Sequence, residues 1–191
     1  MFNENAKSTD LTVASVSAGA GSQERVGGGG VFHFKCYDKD GNLKWEDKAY
    51  NMVVQQGLQD MNSKYFTGSS YSATWYLGLV NNSPAPSYNT NDTLSSHAGW
   101  NETSSYTGNR KAVTFGTAST ADPSIIDNAA SPAQFSMNAT LTVAGAFLAS
   151  VATGTSGILF SVADFAAPGG ARSVVSGDTL SVTYQFSLDA I

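Results

Sequence analysis

The chain has 191 residues, enough for one domain with a sizeable core, or for one domain carrying an arm. Ten Lys and Arg against fifteen Asp and Glu give a net charge of −5, and a mildly acidic chain without basic clusters is a poor ligand for phosphates, which sets nucleic acid aside as a partner. Charged residues make up only 13% of the chain, while Ser, Thr, Asn, Gly and Ala are plentiful. Such a surface is polar but weakly charged, as in β-rich proteins whose surface meets other protein, because burying a hydroxyl or an amide costs less than burying a charge.

The lone Cys36 excludes an internal disulfide, so packing must supply the stability and folding in a cytoplasm is expected. The opening "MFNENAKSTD" lacks the basic and apolar regions of a signal peptide. The most apolar run, "VAGAFLASVA", falls short of the roughly 18 residues of a membrane span, so no membrane partner is expected. Asn101-Glu102-Thr103 and Asn138-Ala139-Thr140 match the glycosylation pattern, with no expected consequence in that compartment.

Residues 1–30 are small, polar and Gly-rich and end in four consecutive glycines, Gly27–Gly30. They read as an extended N-terminal arm and hinge, with Leu11, Val13 and Val16 as its few apolar anchors for a partner chain. The alternative is that the arm folds back on its own domain.

From Val31 to residue 191 the pattern is that of a β-sandwich domain. In "VFHFKCYDKDGNLKW", Phe32, Phe34 and Cys36 alternate with His33 and Lys35, Asp40-Gly41 supplies a turn, and Leu43 and Trp45 resume the alternation, which predicts a β-hairpin. Next, "NMVVQQGLQDMNSKYFTG" changes period. Val54, Leu58, Met61 and Tyr65 share one helical face, Asn51 is the N-cap and Gly68 lies just past the end. "TWYLGLV" returns to strand, with Trp75, Leu77 and Leu79 facing one way. A long polar connection leads to "DTLSSHAGWNETSSY", whose Asp92 would cap a short helical turn. "FSMNATLTV" alternates from Phe135 to Val143 and reads as one strand, and "GDTLSVTYQFSL" repeats the device from Leu180 to Leu188. Shorter runs bring the expected total to eight or nine strands. Together they predict a mainly β, antiparallel sandwich, jelly-roll-like, with one short helix.

Three stretches invite a chemical reading. "DKDGN" places Asp38, Asp40 and Asn42 like the first ligands of a calcium loop, but Leu43 replaces the turning Gly and Ala49 the bidentate Glu, so a hairpin turn is the better reading. No other cluster has ligand spacing, and neither a metal nor a cofactor is expected. Asp92, Ser95, Ser96, His97, Glu102 and Tyr106 could supply a nucleophile, a base and a carboxylate. There is, however, no nucleophile elbow, and Ser, Asp and Asn ahead of an aromatic run more often satisfy loop backbone. The expected role is structural, with Glu102 paired to Arg110 so as to orient Trp100 and Tyr106 onto the sandwich. A carbohydrate site built from Trp75, Tyr76 and Trp100 is the third option, set against the far commoner role of aromatics in a core.

"NMVVQQGLQDM", "WYLGLV", "DTLSSHAGWNETSSY" followed by Arg110, "FSMNATLTVAGAFL" and "GDTLSVTYQF", in that order, resemble a family of small virion proteins of tailed bacteriophages and prophages. The likeness covers roughly residues 31–187 and leaves the arm unmatched; the block from Asp92 to Tyr106 is its most specific part. The resemblance implies no enzyme and no catalytic residues. It implies a subunit made in the host bacterial cytoplasm and resident in the virion, namely a capsid decoration, or cement, protein bound to the major capsid protein. Self-association would follow local shell symmetry, with a trimer favoured and a dimer or monomer left open. The alternative is a tail component, either a fibre-anchoring adaptor or a receptor-binding tip.

Overall fold

The computed structural model describes residues 26–67, 74–165 and 170–190. Twelve strands and one helix are found among them. They are β1 (Val26–Tyr37), β2 (Leu43–Tyr50), β3 (Met52–Val53), α1 (Gln55–Thr67), β4 (Trp75–Asn81), β5 (Asn101–Thr103), β6 (Lys111–Val113), β7 (Ser124–Asp127), β8 (Ala133–Ser136), β9 (Leu141–Ala149), β10 (Leu159–Asp164), β11 (Arg172–Val174) and β12 (Thr179–Ala190). The count exceeds the expected eight or nine because several strands have only two to four residues, too few to alternate visibly.

All pairings are antiparallel and form two sheets. The five-stranded sheet runs β2-β1-β12-β7, with β8 also on β12; the seven-stranded sheet runs β3-β10-β9-β4-β5, with β11 on β9 and β6 on β4. Phe32, Phe34 and Cys36 of β1 and Leu180, Val182, Tyr184 and Phe186 of β12 face inward and meet Leu77 and Leu79 of β4 and Val143, Ala146 and Leu148 of β9. This main core joins the sheets as the expected sandwich. Ser181, Thr183, Gln185 and Ser187 of β12 fall on the opposite face. The predicted hairpin is present: Gly41 has φ +84°, and the Asp38 carboxylate accepts the N–H groups of Asp40 and Asn42 at 2.9 Å each, with the Asn42 side-chain amide at 3.0 Å. Those hydrogen bonds, chiefly Asn42's, hold the Asp38 carboxyl below the usual carboxylate range.

Four expectations need correction. First, Gly27–Gly30 are no hinge but the first part of β1, in continuous register with Asp189–Phe186 of β12. A strand tolerates Gly where something approaches closely, and a Cβ on Gly30 would stand 2.7 Å from the Gln185 carbonyl oxygen. The domain therefore begins at least five residues ahead of Val31.

Second, Asn51 does not cap the helix. Its side-chain oxygen accepts the Gly30 N–H at 2.6 Å and its amide nitrogen donates to the Tyr184 hydroxyl at 2.9 Å, while Met52 and Val53 pair with β10. Third, only half of the expected helical face is buried. Val54 and Met61 pack on the cores, but Leu58 and Tyr65 are exposed, and Gly57 lies against the backbone of Phe160 so closely that a Cβ would stand 2.4 Å from its carbonyl oxygen. Absence of a side chain, invisible to a hydrophobic pattern, sets the phase. Fourth, the run from Phe135 to Val143 is two strands in different sheets: β8 pairs with β12 and β9 with β4, β10 and β11. The chain crosses between sheets at residues 137–140, where Met137 bridges to Tyr106 and donates its N–H to Asp178.

Candidate functional site

The stretch from Asp92 to Trp100 lies over the outer face of the seven-stranded sheet, which the chain then joins as β5. On that face Val80 of β4, Ala144 and Phe147 of β9, and Leu159 and Val162 of β10 form a second apolar core, separate from the one between the sheets. Gly78 makes room for it, since a Cβ there would meet the Phe147 ring at 2.3 Å. Leu94 and Trp100, each about 1% exposed, descend from the loop onto this face and close it.

Asp92 and His97 hold this lid. The Asp92 carboxylate accepts the Trp100 indole N–H and the Asn89 N–H, both at 3.0 Å. It forms no helical cap, because residues 92–97 make a tight turn closed by a Thr93–Ser96 bridge. His97 stacks on Trp100 with ring centroids 3.9 Å apart, and its Nδ1 lies 3.0 Å from the Trp100 carbonyl oxygen. A carbonyl only accepts, so Nδ1 carries the proton and the ring is fixed against the indole. Ser95 Oγ sits 3.2 Å from Thr93 Oγ1. The loop is also tied to α1: the Thr90 carbonyl accepts the Gln55 N–H, and the Gln56 side-chain oxygen receives the N–H groups of Leu94 and Leu159.

Glu102 and Arg110 pair as expected. Arg110 Nε donates to Glu102 Oε1 at 2.9 Å and NH2 to Oε2 at 2.6 Å, while NH1 reaches the Val151 carbonyl at 3.1 Å. The guanidinium also lies 5.2 Å from the Phe147 ring centroid. The pair thus spans β5 and the connection to β6. Trp100 and Tyr106, however, go to opposite faces of the sheet. Tyr106 enters the main core, edge-on to Phe135 at 4.8 Å, and burial raises its phenol pKa far above the usual range.

The aromatic candidates for carbohydrate do not form one platform. Trp75 packs on the main core, edge-on to Phe160, whereas Trp100 is enclosed by His97, Tyr88 and Phe147. Leu11, Val13 and Val16 lie outside the described residues.

One cluster was not legible in the sequence. Asp178 is about 1% exposed, and its Oδ2 accepts Lys44 Nζ at 2.6 Å and the Val175 N–H at 2.9 Å, with Cys36 Sγ at 3.7 Å. Burial, then the Asp178 charge, pushes the Cys36 thiol up to about 12. A thiol so disposed stays protonated, and the cluster buttresses the turn before β12 rather than presenting a nucleophile. Asp178 stands 142 positions from Cys36, a juxtaposition that only the β1–β12 pairing creates.

Among the described residues no group of three His, Cys, Asp or Glu is placed to hold a metal ion, and no helix is long and apolar enough to cross a membrane. Comparison with family models, with curated proteins and with solved structures finds no match.

Proposed function

We propose that this chain is a virion structural protein, a capsid decoration subunit that binds the outside of a phage head and stabilises contacts between major capsid subunits. The observation that carries the reading is the use made of the block from Asp92 to Tyr106. This is the most specific part of the resemblance to small virion proteins, and its Asp, His and Glu are committed to holding a loop over an apolar sheet face. A block given over to architecture befits a subunit whose product is a surface.

That surface supports the same role. The outer face of β12 offers the hydroxyls and amide of Ser181, Thr183, Gln185 and Ser187, with Gln134 of β8 donating to Ser181 at 2.9 Å. Uncharged polar ladders of this kind can be covered by a partner at small desolvation cost. The arm before β1 would reach onto neighbouring subunits through Leu11, Val13 and Val16. The same features allow a tail adaptor or receptor-binding tip, and copy number separates the two positions.

The test is co-sedimentation of the purified chain with capsids of the phage or prophage that encodes it, followed by counting of copies. Saturation at a stoichiometry matching the shell lattice, with greater resistance of the capsid to heat, is the expected result. Binding only at the tail's rotational symmetry moves the chain to the tail, and no binding to either overturns the reading.

A further inference from the structure

A strand built from four consecutive glycines is costly, since glycine loses more backbone freedom on folding than any other residue. The fold explains only part of that expense. Gly30 has Gln185, Tyr184 and Asn51 within 3.0 Å of a would-be Cβ, and Gly28 has Leu188 at 3.2 Å, but a Cβ on Gly29 would meet nothing within 4 Å.

The same residues leave an open sheet edge. Pairing with β2 ends at Val31 opposite Tyr50, and Asn51 closes the next position by donating its backbone N–H to the Gly30 carbonyl and accepting the Gly30 N–H. Both backbone groups of Gly30 therefore point away from β12. The alternation of an antiparallel ladder then turns those of Gly28 and Val26 to the same side. Among the described residues no strand pairs with them there. The free edge of β2 is guarded by Lys44, Glu46, Asp47 and Lys48, as natural edges usually are, whereas Gly27–Gly29 have no charge, no proline and no side chain to turn a strand away.

We propose that two copies of this chain join through this edge, Val26–Gly28 of one pairing antiparallel with Val26–Gly28 of the other. An antiparallel edge is its own complement across a two-fold axis, and Gly27 and Gly28 bring no side chain to it. The register follows from the groups that remain free. Val26 of each copy faces Gly28 of the other, making four hydrogen bonds, and Gly27 meets Gly27 on the axis. A register centred on Gly28 would set Val26 against Gly30, which Asn51 already satisfies. Apolar surface stands beside this edge, for Tyr50, the last residue paired with β1, is 67% exposed. This dimer is independent of the virion reading.

Sedimentation equilibrium of the intact chain should give twice the 19.9 kDa of one copy. Gly28→Pro, which removes the outward N–H, should shift the chain to monomer with an unchanged circular dichroism spectrum, and Gly28→Ala, which keeps it, should remain dimeric. Gly27→Cys should cross-link almost completely with oxidised glutathione, because facing non-hydrogen-bonded residues lie about 4.5 Å apart, within disulfide reach. The parent chain, with only the buried Cys36, should not cross-link. A monomeric parent chain at all concentrations, a dimeric Gly28→Pro, or no cross-link in Gly27→Cys overturns the proposal. A monomeric parent whose melting temperature drops with Gly28→Pro would show that the chain's own residues cover the edge, and that too overturns it. Should Gly28→Pro fail to fold, the Gly27→Cys cross-link decides alone.

Discussion

The Trp100 indole N–H donates to the Asp92 carboxylate across 3.0 Å, and both side chains are enclosed by the loop they fasten to the sheet. Asp92→Ala leaves that N–H buried and unpaired, and frees the Asn89 N–H as well. The expected loss is about 2–3 kcal/mol in urea denaturation. Trp100→Ala, which empties the second core, should cost about 3–5 kcal/mol. His97→Ala removes the stacking and the Nδ1–H hydrogen bond to the Trp100 carbonyl and should cost about 1–2 kcal/mol. A hydrolytic activity abolished by His97→Ala or Ser96→Ala would sink the structural reading of this loop.

The Arg110 guanidinium is committed three ways, to both Glu102 oxygens and the Val151 carbonyl, and its side chain is only 5% exposed. Arg110→Ala strands a partly buried carboxylate and opens a gap beside Phe147, so a loss of about 3 kcal/mol is expected. Arg110→Lys should recover less than half of it, because a point charge cannot reproduce the fork on the carboxylate. Equal stability of the Lys variant and the parent in thermal melts would show that charge alone matters here.

Much of this fold could be read from residue types, and the exceptions share a cause. Leu180 to Phe186 alternate cleanly because β12 has one face in the core and one outside it. Phe135 to Val143 alternate just as cleanly, yet belong to two sheets, since a period of two reports which side is buried and nothing about which strand lies alongside. Gly27–Gly30 misled in the opposite sense, and Gly57 carried no signal at all. Their positions are fixed by what approaches them, Gln185 in one case and Phe160 in the other, and those neighbours are remote in sequence. The Glu102–Arg110 pair was legible because both partners lie in one short connection. The Asp178 cluster was not, because its members meet only after the first and last strands pair.

Gly57 offers a sharp test of the α1 packing. On an exposed helix Gly→Ala gains about 1 kcal/mol. Here the new methyl would stand 2.4 Å from the Phe160 carbonyl oxygen and 2.9 Å from its Cα, both backbone atoms of a central strand pair. Gly57→Ala should therefore destabilise by about 1–3 kcal/mol, the range of overpacked sites. A rise in melting temperature would mean that α1 stands off the sheet.

Alkaline pH should weaken the fold, and Cys36 allows the effect to be measured for one proton. Burial, reinforced by the Asp178 charge, raises its thiol from 9.0 to about 12 in the folded chain. Burial also raises the phenols of Tyr184, Tyr88 and Tyr106. In each case the folded state keeps a proton that the unfolded chain releases, so unfolding gives up protons at high pH. The stabilising contribution is complete below the unfolded values, near pH 9 for the thiol and about 10 for the phenols, and is lost as pH rises through and beyond them. Cys36→Ala removes one of these protons and nothing else that titrates, at the cost of a small packing defect. The stability gap between parent and variant, measured by urea denaturation with a reducing agent present, should therefore narrow by up to about 1.4 kcal/mol for each pH unit between 9 and the folded value of about 12. Lys44, whose pKa is raised mainly by its hydrogen bond to Asp178, acts in the same direction but is present in both proteins. A gap that stays constant from neutral to alkaline pH would show that the thiol titrates alike folded and unfolded, and that the Cys36–Asp178 contact is not enclosed.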